Sequence, residues 1–147
     1  MYLFRGQEIP VRHLLTAKYC SPGAWVSARV WLEQCVQGHR CGEQSSSYSL
    51  PTRLLDLSEN SKAEAHIRLI DQPPHDSGRY VCLSHCWGPL GCALTTTTGN
   101  LPTHEKCGEF LSLPLSFRQA ILFTRWLGVR YLWIDSLCII QDDEEDW

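Results

Sequence analysis

Between Pro114 and Asp135 the hydrophobic pattern changes period once, and it changes at a glycine. Phe117, Ala120, Ile121, Thr124 and Leu127 recur at the spacing of one helix face, while Arg118 and Arg125 lie together on another. Ser116, followed three residues later by Gln119, has the form of a capping box, which predicts a helix beginning at Phe117. Gly128 can take the left-handed conformation that stops a helix. The next stretch, VRYLWID at 129–135, is too short and too rich in β-formers to be a second helix and predicts a buried strand. Upstream, YVCLSHCW at 80–87 reads the same way. A strand, a crossover helix and a strand make a βαβ unit, right-handed and with its strands parallel.

The rest of the chain is organised around that unit. Residues 24–36 place Trp25, Ala28, Trp31 or Leu32, and Cys35 at helical spacing, which predicts an amphipathic helix. Gly38, Gly42 and the serines at 45–47 read as a connector. PTRLLDL at 51–57 and AHIRLI at 65–70 flank a polar turn containing Glu59, Asn60 and Ser61, a hairpin pattern. The expected architecture is an α/β fold: a partial parallel sheet with a βαβ unit, preceded by an N-terminal helix and a β-hairpin. The expected division is a helical extension and linker at 1–49 and a second unit at 50–147.

In open parallel sheets, ligands gather beyond the carboxyl ends of the strands. Ser84, His85, Trp87 and Gly88 lie at one such end, and Asp135 and Ser136 at the other, so these six form the candidate pocket. Each also has a purely structural reading. Asp135 either offers a carboxylate to a group such as a ribose hydroxyl or caps the next turn through backbone amides. Ser84 has no G-x-S-x-G turn around it and reads better as a strand-end hydrogen-bonding group than as a nucleophile. Trp87 and Gly88 form either a stacking surface or a core aromatic followed by a turn glycine. Asp142 and Asp143 begin a candidate acidic surface for a cation or basic partner; alternatively, they belong to the first turn of a following helix.

Charge and cysteine content narrow the function classes. Lys and Arg total 13 against 16 Asp and Glu, but five acids fall within the last six residues, and without them the balance is +2. That remainder is too weakly basic for a nucleic-acid footprint, and no run is long enough to span a membrane. The opening MYLFRGQEIPVRHLL carries Arg5, Glu8 and Arg12 and lacks the apolar core of a secretory signal. A cytoplasmic, reducing location follows, in which Cys20, Cys35, Cys41, Cys82, Cys86, Cys92, Cys107 and Cys138 are expected as free thiols, mostly small buried hydrophobes. Cys35, His39 and Cys41, with His104 and Cys107, lack the spacing of familiar zinc sites. Cys82, Cys86 and Cys138 are weak candidates for catalytic thiols, since reactivity needs an electropositive, accessible setting. No metal and no cofactor is expected.

Four segments, in order, resemble the fungal heterokaryon-incompatibility (HET) domain: LPTRLLDL at 50–57, YVCLSHCWG at 80–88, LPLSFRQAILFTRWLGVRYLWIDSLCIIQDD at 113–143, and the closing DW at 146–147. WLEQCVQGHRC at 31–41 looks like the segment often attached upstream of such domains. The chain departs from the family at His85, where tyrosine is usual, and stops where relatives continue, so it looks like the N-terminal part of a truncated domain. The resemblance implies a module of self/non-self recognition and programmed cell death, working through protein partners and self-association. The family is similar in proposed fold to TIR domains, some of which cleave NAD using a glutamate. Glu144 and Glu145 lie in the right region for such a residue but match no catalytic pattern, so NAD enters as a speculative substrate by fold analogy.

Overall fold

The structure is a computed structural model that describes residues 22–39, 49–58, 66–73, 78–89, 91–92, 94–106, 108–109 and 112–147. The chain divides into two compact units, residues 1–44 and 45–147. In the first, helix α1 spans Pro22–Gly38, two residues beyond the predicted helix at each end. Proline suits the first helical position because the amide it lacks would be unpaired there. Trp25, Ala28, Trp31 and Cys35 are half-buried, whereas Leu32, the alternative to Trp31, is exposed along with Val26, Val30 and Val36. The predicted connector residues Gly42 and Ser45–Ser47 lie outside the described residues, as do Cys20, Cys41, Cys107 and the turn at Glu59, Asn60 and Ser61.

The second unit carries strands β1 (Arg53–Asp56), β2 (His66–Asp71), β3 (Tyr80–Leu83), β4 (Gly108–Glu109) and β5 (Tyr131–Ile134) in the order β3-β5-β1-β2-β4. Its helices are α2 (Leu101–Glu105), α3 (Leu115–Trp126) and α4 (Asp135–Cys138), with a final 3-10 turn at Glu144–Asp146. The hairpin is present, with Arg53 opposite Asp71 and Asp56 opposite Arg68. So is the βαβ unit, in which β3 and β5 pair in parallel from Tyr80 with Tyr131 to Leu83 with Ile134.

Three expectations require correction. The sheet is mixed: β1 pairs antiparallel with β5, and β2 antiparallel with both β1 and β4, so only the β3–β5 pair is parallel. Hydrophobic period marks a strand but not the direction of its neighbour. Second, β3 is an edge strand with Tyr80 and Cys82 exposed and Val81 and Leu83 half-buried, so it is not the buried strand its apolar run predicts. Third, α3 begins at Leu115 with Pro114 as its N-cap, and no side chain caps it; Ser116 lies inside the first turn. Proline's fixed φ starts the helix two residues earlier than the box does.

The predicted packing stripe of α3 holds, with Phe117, Ile121 and Thr124 buried and Ala120 and Leu127 half-buried. Of these, Phe117 and Ile121, with Ala120 packed against them, meet Leu55, Leu57, Ile67, Leu69, Leu132, Ile134, Leu137 and Cys138 in one core. Truncating any of the fully enclosed members would leave a cavity costing about 2–5 kcal/mol. The helix ends as its glycine predicts: Gly128 has φ +70°, its amide donates to Arg125 O at 2.9 Å, and the Val129 amide reaches back to Thr124 O at 3.1 Å. These two bonds are the paired closure of a Schellman stop, and they redirect the chain into β5.

Candidate functional site

Strand β5 passes into α4 without an intervening loop, and Asp135 is the first residue of that helix. Its carboxylate accepts from Trp87 Nε1 at 2.9 Å through Oδ2 and from the Ser136 amide at 2.7 Å through Oδ1. His85 Nδ1 lies 3.3 Å from the same Oδ1. That nitrogen is buried and has no aligned hydrogen-bond acceptor among the described residues, so the contact acts through charge and proximity. The imidazole stands edge-on to Phe117, with centroids 5.1 Å apart and planes at 88°. The helix that covers the core thereby also fixes the ring.

The structure therefore brings His85, Trp87 and Asp135 together at the carboxyl ends of the parallel pair. Ser136 adjoins them but is fully buried, and its Oγ has no partner among the described residues. Ser84 is exposed at the end of β3. Gly88 supplies the turn: its φ is +74°, and a Cβ there would meet nothing within 4 Å, so the position needs glycine for its backbone and not for space. Gly91 repeats the left-handed conformation at φ +79°, with its amide 3.3 Å from Gly88 O.

That double-glycine turn returns the chain to the cluster and delivers a residue outside the predicted set. Cys92 Sγ sits 3.7 Å from His85 Nε2 and 3.3 Å from Leu94 O. Nothing in the spacing of His85 and Cys92 marks the contact, because two positive-φ glycines create it.

The cysteines differ sharply in setting. Among the described residues Cys35, Cys82, Cys86, Cys92 and Cys138 are free thiols, as expected, but Cys82 and Cys86 are exposed, contrary to the expectation of buried hydrophobes. As a strand-edge position, Cys82 points away from the core. Its thiol is pushed up from the ordinary value by partial burial and then by the nearby negative charge of Asp135. Burial pushes the Cys138 thiol up to about 12, and its sulfur accepts from the Ile134 amide at 3.4 Å, which makes it an inert core group.

The acidic tail is built into the fold. Asp142 accepts from the Thr98 amide and hydroxyl, both at 2.8 Å, and these bonds hold its carboxyl below the usual range. Asp143 accepts from the Glu145 amide at 3.1 Å and caps the final 3-10 turn. Asp146 takes the Ile140 amide at 2.7 Å and the guanidinium of buried Arg53, whose Nε donates to Cys138 O at 3.1 Å.

His104, Cys35 and His39 belong to the group weighed for zinc, and the His104 ring is bonded otherwise. Cys35 O accepts from the His39 amide at the end of α1, and His104 Nδ1 lies 2.8 Å from Thr96 Oγ1. The Thr96 hydroxyl donates to Leu137 O at 2.7 Å, so it accepts from Nδ1–H, which sets the His104 tautomer. Among the described residues no group of three His, Cys, Asp or Glu is placed to hold a metal. His104 also borders an apolar cavity of about 350 Å³ under β1 and β2, lined by Leu55, Ile67, Leu69, Leu94 and Leu137.

No curated protein and no solved structure matches the chain. A family model does, the one described as Heterokaryon incompatibility protein (HET), over residues 80–147. The matched span runs from β3 through the βαβ unit to Trp147 and contains every member of the strand-end cluster; the hairpin strand β1, with its LPTRLLDL motif, lies before it. Residues 80–147 are thus similar to the heterokaryon incompatibility family.

Proposed function

We propose that the chain is a signalling module of fungal self/non-self recognition, triggering programmed cell death when protein partners, further copies of itself among them, bring copies together in the cytoplasm. The family match over residues 80–147 carries this reading. The geometry of Asp135 supports it. Trp87 and the Ser136 amide already occupy the carboxylate, one on each oxygen, so it serves to hold the loop after β3 in a fixed shape. A rigid loop on a sheet end suits recognition by another protein chain. No helix among the described residues is long and apolar enough to cross a membrane, and protein partners need none. The test is forced clustering. Fused to an inducible dimeriser in fungal cells, the chain, or a longer protein containing it, should kill on addition of the inducer and not before. Death independent of clustering, or survival of clustered cells, would count against the proposal.

A second reading is a TIR-like enzyme that cleaves NAD. Its support is the location of Trp87 and Asp135 beyond the carboxyl ends of β3 and β5, where α/β sheets bind nucleotides. It requires Asp135 to exchange an internal partner for the ligand. Clustered protein incubated with NAD should then release nicotinamide, and the absence of turnover would remove this reading while leaving the first intact.

A further inference from the structure

We infer that Cys92 is a reactive thiol and a site of covalent modification by small electrophiles, with His85 as its proton acceptor and Asp135 as the residue that positions His85. Two observations carry the inference. The Cys92 sulfur and His85 Nε2 are 3.7 Å apart, within reach for a sulfur hydrogen bond. On the far side of the ring, Nδ1 faces Asp135 Oδ1 at 3.3 Å. A proton on Nδ1 is favoured by that carboxylate, which leaves Nε2 with its lone pair toward the sulfur. Nucleophile, base and orienting acid thus stand in the order that activates a cysteine, and such contacts are commonly loose before a reaction partner binds.

The surroundings reinforce the selectivity. Phe117 packs edge-on against the imidazole and limits its rotation. Trp87 and the Ser136 amide hold the carboxylate, so the acid cannot swing away from Nδ1. Cys82 also feels the charge of Asp135, and there the negative charge works against its thiolate. One acid therefore supports Cys92 through His85 and acts against Cys82 by its charge.

The reaction with an alkylating probe such as iodoacetamide balances simply. Sulfur forms a bond to the methylene carbon, iodide leaves with the bonding pair, and the thiol proton moves to His85 Nε2 and on to water. Cys92 must first release its contact with Leu94 O, a weak S–H donation that costs little.

This inference is independent of the signalling and NAD readings, because it is measured as chemistry on the purified chain. Labelling rates at each cysteine are followed by peptide mass spectrometry at neutral pH. Half-buried Cys92 should label about tenfold or more faster than exposed Cys86 and Cys82. His85→Tyr should lower the Cys92 rate to that of Cys86 or below while leaving the Cys86 rate unchanged, and Asp135→Asn should lower it by a smaller factor. Thermal melts establish that each variant is folded. If His85→Tyr does not fold, His85→Gln, closer in size to the imidazole, takes its place. A Cys92 rate no greater than that of Cys86, or one indifferent to both folded variants, would overturn the inference.

Discussion

Strand β5 has a carboxylate at each end, and the two are handled in opposite ways. Asp56 lies opposite Tyr131 at the strand's beginning, with its side chain 1 % exposed. Arg130 grips it through two bonds of 2.9 Å, Arg68 adds a third at 3.3 Å, and the Ser58 amide a fourth at 3.0 Å. Asp135 follows the strand's last residue, is 32 % exposed, and has neutral donors and a histidine in place of arginines. Permanent guanidinium charges make the first site electrostatically closed. At the second, the carboxylate faces two neutral N–H donors and an imidazole, with no guanidinium on it among the described residues. One end of the strand is closed by permanent charges, and the other is not.

The largest test of this contrast is Arg130→Met, which leaves the buried Asp56 carboxylate with poorer compensation. A broken, fully buried pair costs about 3–5 kcal/mol; with the Arg130 side chain 43 % exposed, the expected loss is nearer 2–3 kcal/mol, read by thermal or urea unfolding. A loss under 1 kcal/mol would mean that Arg68 suffices alone. The same pair makes a pH prediction. Burial tends to raise the Asp56 carboxyl, but Arg130 and the Ser58 bonds outweigh it and hold the group well below the usual range. Its contribution is therefore complete above the unfolded value of about 3.9 and is lost only as pH falls toward the lower folded value. Arg130→Met should begin acid unfolding at a higher pH than the parent chain, and coincident curves would remove Asp56 from the account.

Asp135→Asn comes next. Asparagine offers one acceptor where two N–H donors converge, so either Trp87 or the Ser136 amide loses its bond, at about 1–2 kcal/mol. Melting temperature and killing should be measured together. A loss of killing in proportion to folded protein makes the residue scaffold like Asp56, whereas lost killing with an unchanged melt makes it functional. The smallest effect belongs to Trp87→Phe, which keeps most of the ring packing and removes one bond to a partly exposed carboxylate. We expect about 0.5–1 kcal/mol, seen as a lower urea midpoint at constant slope.

What could be read from the sequence was local or periodic. The stripe from Phe117 to Leu127, the Gly128 stop, the hairpin and the β3–α3–β5 crossover all leave signatures within a few residues of where they act. The pairing of Asp56 with Arg130 spans 74 residues and that of Arg53 with Asp146 spans 93, and neither leaves a local mark. The insertion of β1 beside β5, which made the sheet mixed, was hidden for the same reason. At the candidate site, strand-end logic placed His85, Trp87 and Asp135 near one another, while Cys92 was missed because its position depends on backbone rotation at Gly88 and Gly91.

The tie between Arg53 and Asp146 also has a consequence in time. The arginine lies in the first strand of the second unit and its carboxylate partner 93 residues later, so β2, β3, β4 and β5 are all made between them. At a synthesis rate of roughly 5–20 residues per second, the guanidinium waits about 5–20 s for this second carboxylate. Closing so long a loop is entropically costly, and the reward comes only at the end. The hairpin, in which Asp71 stands 3.7 Å from the guanidinium, and the crossover helix can form early, but the bond that ties the start of the unit to Asp146 waits until that residue has been made.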